Sequence, residues 1–134
     1  MTTTYFLNCI AGNVFATSTN PQLPTKYYLG LSKTAPSLDG SNVTEPSKTA
    51  GYARVEITGL STPQNGVVSN TTPLVFNEST GSWGVVTHYV IYDSQTVGGG
   101  NLLMYGELST PRTIDATTTV NIQDGNLSLS VFNK

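Results

Sequence analysis

The stretch from Thr80 to Asp93 constrains the fold of this 134-residue chain more than any other segment. It holds the only tryptophan and the only histidine, within the longest apolar run. Side chains of a β-strand alternate between two faces, and here both faces are largely apolar. The stretch therefore predicts a central strand covered on both sides, because a strand with one face in water would alternate apolar with polar residues. One face is expected to carry Trp83, Val85, Thr87, Tyr89 and Ile91, and the other Val86, His88, Val90 and Tyr92.

Short β-prone runs separated by Gly, Pro, Asn and Asp fill much of the remaining chain. They predict further strands at 26–32, 52–58, 67–68, 74–77, 101–108, 117–123 and 126–132. A turn is expected through Pro111, and Asp124–Gly125 predicts a two-residue turn that pairs the last two strands as a closing hairpin. In strand 52–58, alternation places Arg54, Glu56 and Thr58 outward and Ala53, Val55 and Ile57 inward.

The N-terminal segment is the one place where the sequence predicts a helix, from Thr4 to Phe15. Thr4 is the expected N-cap, and Gly12 followed by Asn13 is the expected end. The segment is unusually apolar, so it must pack either on its own domain or on another chain. A loop is expected from Ser18 to Thr25, which contains two prolines.

Together these patterns predict an all-β fold: an antiparallel β-sandwich or jelly-roll-like barrel of about eight strands, with a short N-terminal helix. The length of the chain is that of a single domain, 1–134. Residues 1–25 form the expected N-terminal arm, or a short helix followed by a loop, and residues 26–134 form the expected β-core. No internal repeat or linker divides the chain.

The segment from Thr34 to Gly51 predicts a long irregular loop, rich in Pro, Ser, Gly and Asn. Loops of this length inside a compact domain are usually functional. With the apolar N-terminus, the loop provides the candidate interface: Tyr5, Phe6, Leu7, Ile10, Phe15, Pro36, Leu38 and Pro46.

The sequence supplies little of the chemistry that an enzyme needs. His88 lies in the middle of a predicted strand, where a structural histidine is commoner than a general base. No G-x-S-x-G, P-loop or H-E-x-x-H motif occurs. One cysteine, Cys9, and one histidine are too few for a structural zinc site. Carboxylates fall mostly at turns and outward strand positions, as on a solvated surface. We therefore predict no catalytic residues, no metal and no cofactor.

The charges argue against two further classes of partner. The net charge is −2, and the six Lys and Arg residues are scattered from Lys26 to Lys134. Nucleic-acid binding needs clustered cations, so we expect no nucleic acid. No apolar run approaches the ~18 residues of a membrane helix, so we expect no membrane.

The aromatic residues leave a binding function open. Exposed rings of Tyr or Trp could stack on sugars, whereas rings within strands favour core or subunit contacts. The rings concerned are Tyr27, Tyr28, Tyr52, Trp83, Tyr89, Tyr92 and Tyr105.

Four motifs resemble the small tail-fibre-like or capsid-decorating virion proteins of tailed bacteriophages. They are Y-Y-L-G-L-S-K-T-A-P at 27–36, G-Y-A-R-V at 51–55, T-G-S-W-G-V-V-T-H at 80–88 and G-G-N-L-L at 99–103. Their combination in this order carries the resemblance, which extends roughly from residue 27 to residue 131. Its structural signature comprises Tyr52, Arg54, Trp83 and His88.

The resemblance implies a non-enzymatic structural protein on the virion surface. It implies phage capsid or tail proteins as partners and a homo-oligomer, for which a trimer is one expected form. The absence of a fibrous repeat favours a capsid decoration protein, of the cement or head-fibre type, that docks on the major capsid protein. The alternative is a tail-fibre or adhesin module that binds host-surface glycans.

Overall fold

The computed structural model describes residues 1–15 and 23–131. Within these ranges the protein has one α-helix, one 3-10 turn at Lys48–Ala50 and eight strands, all paired antiparallel. This confirms the predicted fold class. Most of the predicted loop 18–25 lies outside the described residues. The elements are α1 (Thr4–Val14), β1 (Tyr28–Ser32), β2 (Val55–Glu56), β3 (Val67–Ser69), β4 (Leu74–Val75), β5 (Gly84–Tyr92), β6 (Leu102–Ile114), β7 (Asn121–Ile122) and β8 (Ser128–Ser130).

The largest sheet has four strands in the order β2-β1-β5-β6. The strand predicted to be central, β5, lies between β1 and β6, as its two apolar faces indicated. Two shorter ladders, β3 with β8 and β4 with β7, complete the described strand pairing. Leu29 of β1, Leu74 of β4 and Leu127 beside β8 belong to one apolar core, so the ladders and the sheet share it.

The alternation predicted along β5 holds only for its last four residues. Tyr89 and Ile91 pack with the main core, whereas Val90 and Tyr92 form a second cluster with Leu102. The prediction is wrong nearer the start, where Val85 is 47% exposed and its neighbour Val86 is buried in the main core. The reason is an irregularity in the β5–β6 ladder between Val86 and His88. Such an irregularity breaks strict alternation of side chains.

The turn predicted at Pro111 is also wrong, because β6 runs through it from Leu102 to Ile114. β6 is an edge strand of its sheet. Edge strands tolerate proline, because its missing N–H removes no ladder bond on the solvent side.

The predicted closing hairpin does not form. β7 pairs with β4, and β8 pairs with β3, so the strands on either side of Asp124–Gly125 have different partners. The buried amide of Asn70 organises this connection. Its Oδ1 accepts a hydrogen bond from the Leu127 N–H at 2.9 Å, and its Nδ2 donates to the Gln123 carbonyl at 3.0 Å.

The strand predicted at 52–58 is reduced to Val55–Glu56, and its predicted facing is wrong at one position. Arg54 is 2% exposed, although alternation placed it outward. Ile57 is buried as expected. The burial of Arg54 has a specific electrostatic cause, given below.

The predicted helix is present, but its first and last residues differ from expectation. The N-cap is Thr3, not Thr4, because the Thr3 side chain accepts a hydrogen bond from the Phe6 N–H. The helix also continues through Gly12 to Val14. Helix α1 packs on β6, with Phe6 and Cys9 buried in the core.

Candidate functional site

The most strongly bonded polar cluster in the described residues is the Glu45–Arg54 clamp. The two side chains are 6% and 0% exposed. Arg54 Nη2 lies 2.8 Å from Glu45 Oε2, and Arg54 Nε lies 3.0 Å from Oε1, which makes the ion pair bidentate. Because buried charges are costly unless they are paired and hydrogen-bonded, this geometry explains how Arg54 is accommodated inside the protein.

Arg54 also joins the clamp to the turn between β5 and β6. Its Nη1 donates to the carbonyls of Ser94 at 2.7 Å and Gly99 at 3.0 Å. Its guanidinium carbon lies 3.6 Å from the ring centroid of Tyr92, within the range of a cation–π contact. The loop around Glu45 and the turn at 94–99 are thus held to the same side chain.

Tyr52 extends the clamp to β1. Its hydroxyl donates to Glu45 Oε1 at 2.6 Å and accepts from the Leu31 N–H at 2.9 Å. Burial raises the pKa of Tyr52, and the nearby Glu45 charge raises this pKa further. A Cβ on Gly30 would lie 2.6 Å from the Tyr52 hydroxyl, so the close approach requires glycine. Both Glu45 oxygens accept bonds within the protein, which is the arrangement of a structural clamp.

A second candidate site is the outward face of α1. Leu7, Val14 and Phe15 are 37%, 67% and 73% exposed, and Ala11 is exposed between them. Their spacing of i, i+4, i+7 and i+8 places them on one side of the helix. Residues 1–15 contain no Lys, Arg, Asp, Glu or His. Thr4 and Asn8, which are exposed three residues before Leu7 and Ala11, add polar side chains to this face but no charge.

Two further apolar side chains lie near the first turn of α1. The Leu38 carbonyl accepts a hydrogen bond from the Thr4 N–H at 3.0 Å, and Leu38 is 44% exposed. Met1, which precedes the helix, is 45% exposed. We call the whole surface the apolar pole; it comprises Met1, Leu7, Ala11, Val14, Phe15 and Leu38.

A third candidate is a groove of about 800 Å³ between β6 and residues 118–128. Its floor is apolar and includes Leu29, Leu31 and Val86. Polar side chains line its walls. These include Ser109, Thr110, Thr113, Thr119, Asn121 and Asn126. The half-buried ring of Tyr89 also lines the groove.

The predicted interface residues divide by burial. Leu7, Phe15 and Leu38 are exposed, and Tyr5 and Ile10 are half-buried. The other three residues are buried and cannot contact a partner in this conformation; they are Phe6, Pro36 and Pro46. Phe6 lies in the core under α1, and the two prolines lie beneath the surface of the 34–51 loop. The candidate interface is therefore narrower than expected.

The four signature residues occupy structural positions. Trp83 is 1% exposed and donates from Nε1 to the Ala50 carbonyl at 2.8 Å. Tyr52 stacks edge-on against it, with ring centroids 5.3 Å apart. Arg54 lies in the clamp. His88 is half-buried, with Nδ1 2.8 Å from the Thr87 hydroxyl oxygen.

Sequence reasoning missed Glu45 as the partner of Arg54, because a nine-residue separation through an irregular loop has no periodic signature. It also missed Ala11 and Val14 on the outward helix face. The absence of ionisable acid and base side chains from residues 1–15 was the available signal.

Within residues 1–15 and 23–131, no group of three or more His, Cys, Asp or Glu side chains could hold a metal ion. In the same residues, no helix is both long and apolar enough to cross a membrane.

Comparison with known proteins adds one match. The family model for Gp80, described as podophage GP4 fiber I protein gp80, matches residues 2–130. No curated protein matches the chain. The matched range includes α1, all the described strands, the clamp and most of the apolar pole.

Proposed function

The chain belongs to the podophage GP4 fiber I protein gp80 family, and on this basis we propose that it is a non-enzymatic fibre-type subunit seated on the phage capsid. Family membership makes it a virion-associated structural protein. The finer placement, as a head fibre or decoration protein on the major capsid protein, is our proposal. The exposed apolar surface of the protein supports this placement.

The observation that carries the proposal is the apolar pole. Its outward side chains include Val14 and Phe15, which are 67% and 73% exposed. Burying apolar surface contributes about 25 cal/mol per Å², and contiguous exposed apolar patches often mark protein interfaces. A structural subunit must hold to neighbouring virion polypeptides, and this surface has the composition for such contacts.

The compact form of the described residues supports the capsid rather than a fibrous shaft. The longest strand has 13 residues and the helix 11. Neither a repeat nor a coiled-coil heptad pattern occurs in the sequence. A compact subunit suits a seat on a shell, where lateral contacts matter more than length.

Incorporation into virions tests this placement. The variant V14D/F15D places charge on the pole without touching the core, so we expect its copy number per particle to fall at least about tenfold. L60D is the control, because Leu60 is 39% exposed and lies elsewhere. Circular dichroism should show that both variants are folded. Undiminished incorporation of V14D/F15D would show that the apolar pole is not the attachment surface. Density for this chain at the tail of the particle would refute its placement on the capsid.

The groove favours a second candidate, an adhesin that binds host-surface glycans. Its volume of about 800 Å³ lies within the usual range for ligand sites. Hydroxyl and amide side chains on its walls can bond to sugar hydroxyls, and Tyr89 offers an aromatic edge. The groove carries one exposed residue of each charge, Glu107 and Arg112, which suits an uncharged ligand.

A glycan array on the purified protein tests this second candidate. If it is correct, the protein binds a glycan and the N121A/N126A variant loses at least about tenfold in affinity, because two wall amides are removed. The matched control N8A lies on α1, away from the groove. No binding at millimolar sugar, or binding unaffected by N121A/N126A, would eliminate the groove as a receptor site.

A further inference from the structure

A tight turn at Asn65 and Gly66 precedes β3. The residues on either side of it bond to each other: the Gln64 N–H donates to the Val67 carbonyl at 2.9 Å, and the Val67 N–H donates to the Gln64 carbonyl at 3.0 Å. The two central residues have φ values of 54° and 79°. Positive φ at both central positions is the signature of a type I′ turn. Asn65 and Gly66 are both exposed, so water reaches the turn.

Asn65 is the only asparagine in the chain that glycine follows. The backbone nitrogen after an asparagine can attack the side-chain carboxamide, and glycine has no side chain to shield this nitrogen. The attack closes a five-membered ring. It therefore requires the Gly66 nitrogen and the Asn65 Cβ to lie on the same side of the Cα–C bond of Asn65.

The type I′ turn keeps these atoms apart, but one peptide flip brings them together. In a type I′ turn ψ of the first central residue is about +30°, which places its Cβ nearly opposite the next nitrogen. In a type II′ turn ψ is about −120°, which places Cβ over that nitrogen. Hairpins use both turns, and φ of the first residue is positive in both. Only Gly66 must change the sign of φ, and glycine accepts either sign.

We infer that Asn65 is a site of spontaneous deamidation in the folded protein, reached through this flip. The Gly66 nitrogen bonds to Cγ of Asn65 while the bond from Cγ to Nδ2 breaks. The displaced amide leaves as ammonia and carries away the proton of the Gly66 nitrogen. Water then opens the succinimide ring at either of its carbonyls, which yields aspartate or isoaspartate. The inference is independent of the apolar pole.

Both products alter the surface beside β3. Each replaces a neutral amide with a carboxylate, so the net charge of −2 becomes more negative by one. Isoaspartate also adds a methylene group to the backbone of the turn. Because turn type and loop length fix the register of a hairpin, this product should break the pairing between Gln64 and Val67. β3 then loses the turn that holds its first residue.

Asn42 shows that a positive φ alone does not make such a site. Its φ is 64° and it is exposed, but the next residue is Val43, which packs against the second apolar cluster. The side-chain amide of Asn42 also donates to the Ser37 hydroxyl at 2.7 Å. A β-branched residue is restricted where glycine is free, so a peptide flip is unfavourable there. Asn42 is therefore the internal control.

Incubation of the purified full chain in water labelled with heavy oxygen tests the inference. The label enters only carboxylates that form during incubation, and peptide mapping by mass spectrometry locates them. We expect labelled aspartate and isoaspartate at position 65 to form at least about tenfold faster than at position 42. The rate should rise with pH, because the attacking nitrogen must lose its proton.

Two variants test the route. G66A should slow modification of Asn65 at least about tenfold, because alanine shields the nitrogen and restricts the flip. T3A, which removes the N-cap of α1, should leave the rate unchanged if the turn reacts in the folded protein. Circular dichroism should show that both variants are folded. No label at position 65, equal rates at positions 65 and 42, an undiminished rate in G66A, or faster modification in T3A would each overturn the inference.

Discussion

Arg54 shows how a single side chain can connect segments far apart in the chain. Its guanidinium reaches Glu45, nine positions away, and the carbonyls of Ser94 and Gly99, 40 and 45 positions away. Each of these contacts is a charge-assisted hydrogen bond, and such bonds are stronger than bonds between neutral groups. The order of the 34–51 loop therefore depends on a residue outside it.

We predict that R54M destabilises the protein by about 3–5 kcal/mol, because it leaves the Glu45 carboxylate buried without its counter-charge. Urea unfolding followed by tryptophan fluorescence measures the change. K26M is the matched control: Lys26 and Glu56 form an ion pair at 3.8 Å with side chains 62% and 41% exposed. That exposed pair should contribute less than about 1 kcal/mol. Equal effects of the two variants would contradict the clamp.

At the scale of elements, α1 is attached to the sheet through the residues that precede it. The Thr3 N–H donates to the Leu103 carbonyl at 2.9 Å, and Thr3 Oγ1 donates to the Leu102 carbonyl at 2.7 Å. The same side chain caps the helix. Thr3 therefore links the start of α1 directly to the edge of β6 and, with Met1 and Thr2, which also pair with β6, helps to orient the outward helix face.

We predict that T3A lowers the free energy of unfolding by about 1–3 kcal/mol, because it removes both the cap and a buried hydrogen bond to β6. T4A is the control, because Thr4 is exposed and lies one position further on. It should change stability by less than about 0.5 kcal/mol. Thermal unfolding of both variants measures the difference. If T4A lowered stability more than T3A, Thr4 would be the N-cap, as the sequence pattern indicated.

At the scale of the whole molecule, burial of tyrosines links stability to alkaline pH. Burial raises the pKa of Tyr5, Tyr27, Tyr52, Tyr89 and Tyr92 above that of an unfolded tyrosine. An unfolded tyrosine ionises near pH 10. Above that pH the unfolded chain releases protons that the folded protein retains, so the folded state loses stability as pH rises.

We predict that the free energy of unfolding falls steadily above about pH 10. Urea unfolding at a series of pH values measures this slope. Y52F should be less stable at pH 8, because the hydroxyl bonds to Glu45 and Leu31 are lost, but its slope above pH 10 should be shallower. A slope as steep as that of the wild type would show that Tyr52 does not contribute to it.

The sequence by itself determined the features that depend on local pattern. The two apolar faces of residues 80–93 identified β5 as central, and the clustered turn residues marked the irregular 34–51 loop. The apolar N-terminus indicated both the helix and the need to cover it. These conclusions required only the period of side-chain alternation and the backbone preferences of Gly, Pro and Asn.

Only the tertiary structure decided the features that depend on distant partners. Alternation placed Arg54 outward, because periodicity cannot detect a carboxylate supplied by a neighbouring loop. The turn at Asp124–Gly125 indicated a hairpin, but β4 and β3 compete for the strands on either side of it, and Asn70 holds that arrangement. The exposure of Val14 and Phe15 likewise required α1 to be seated on β6. Pairing and burial are long-range properties, because the contacts that stabilise them join residues separated by tens of positions in the chain.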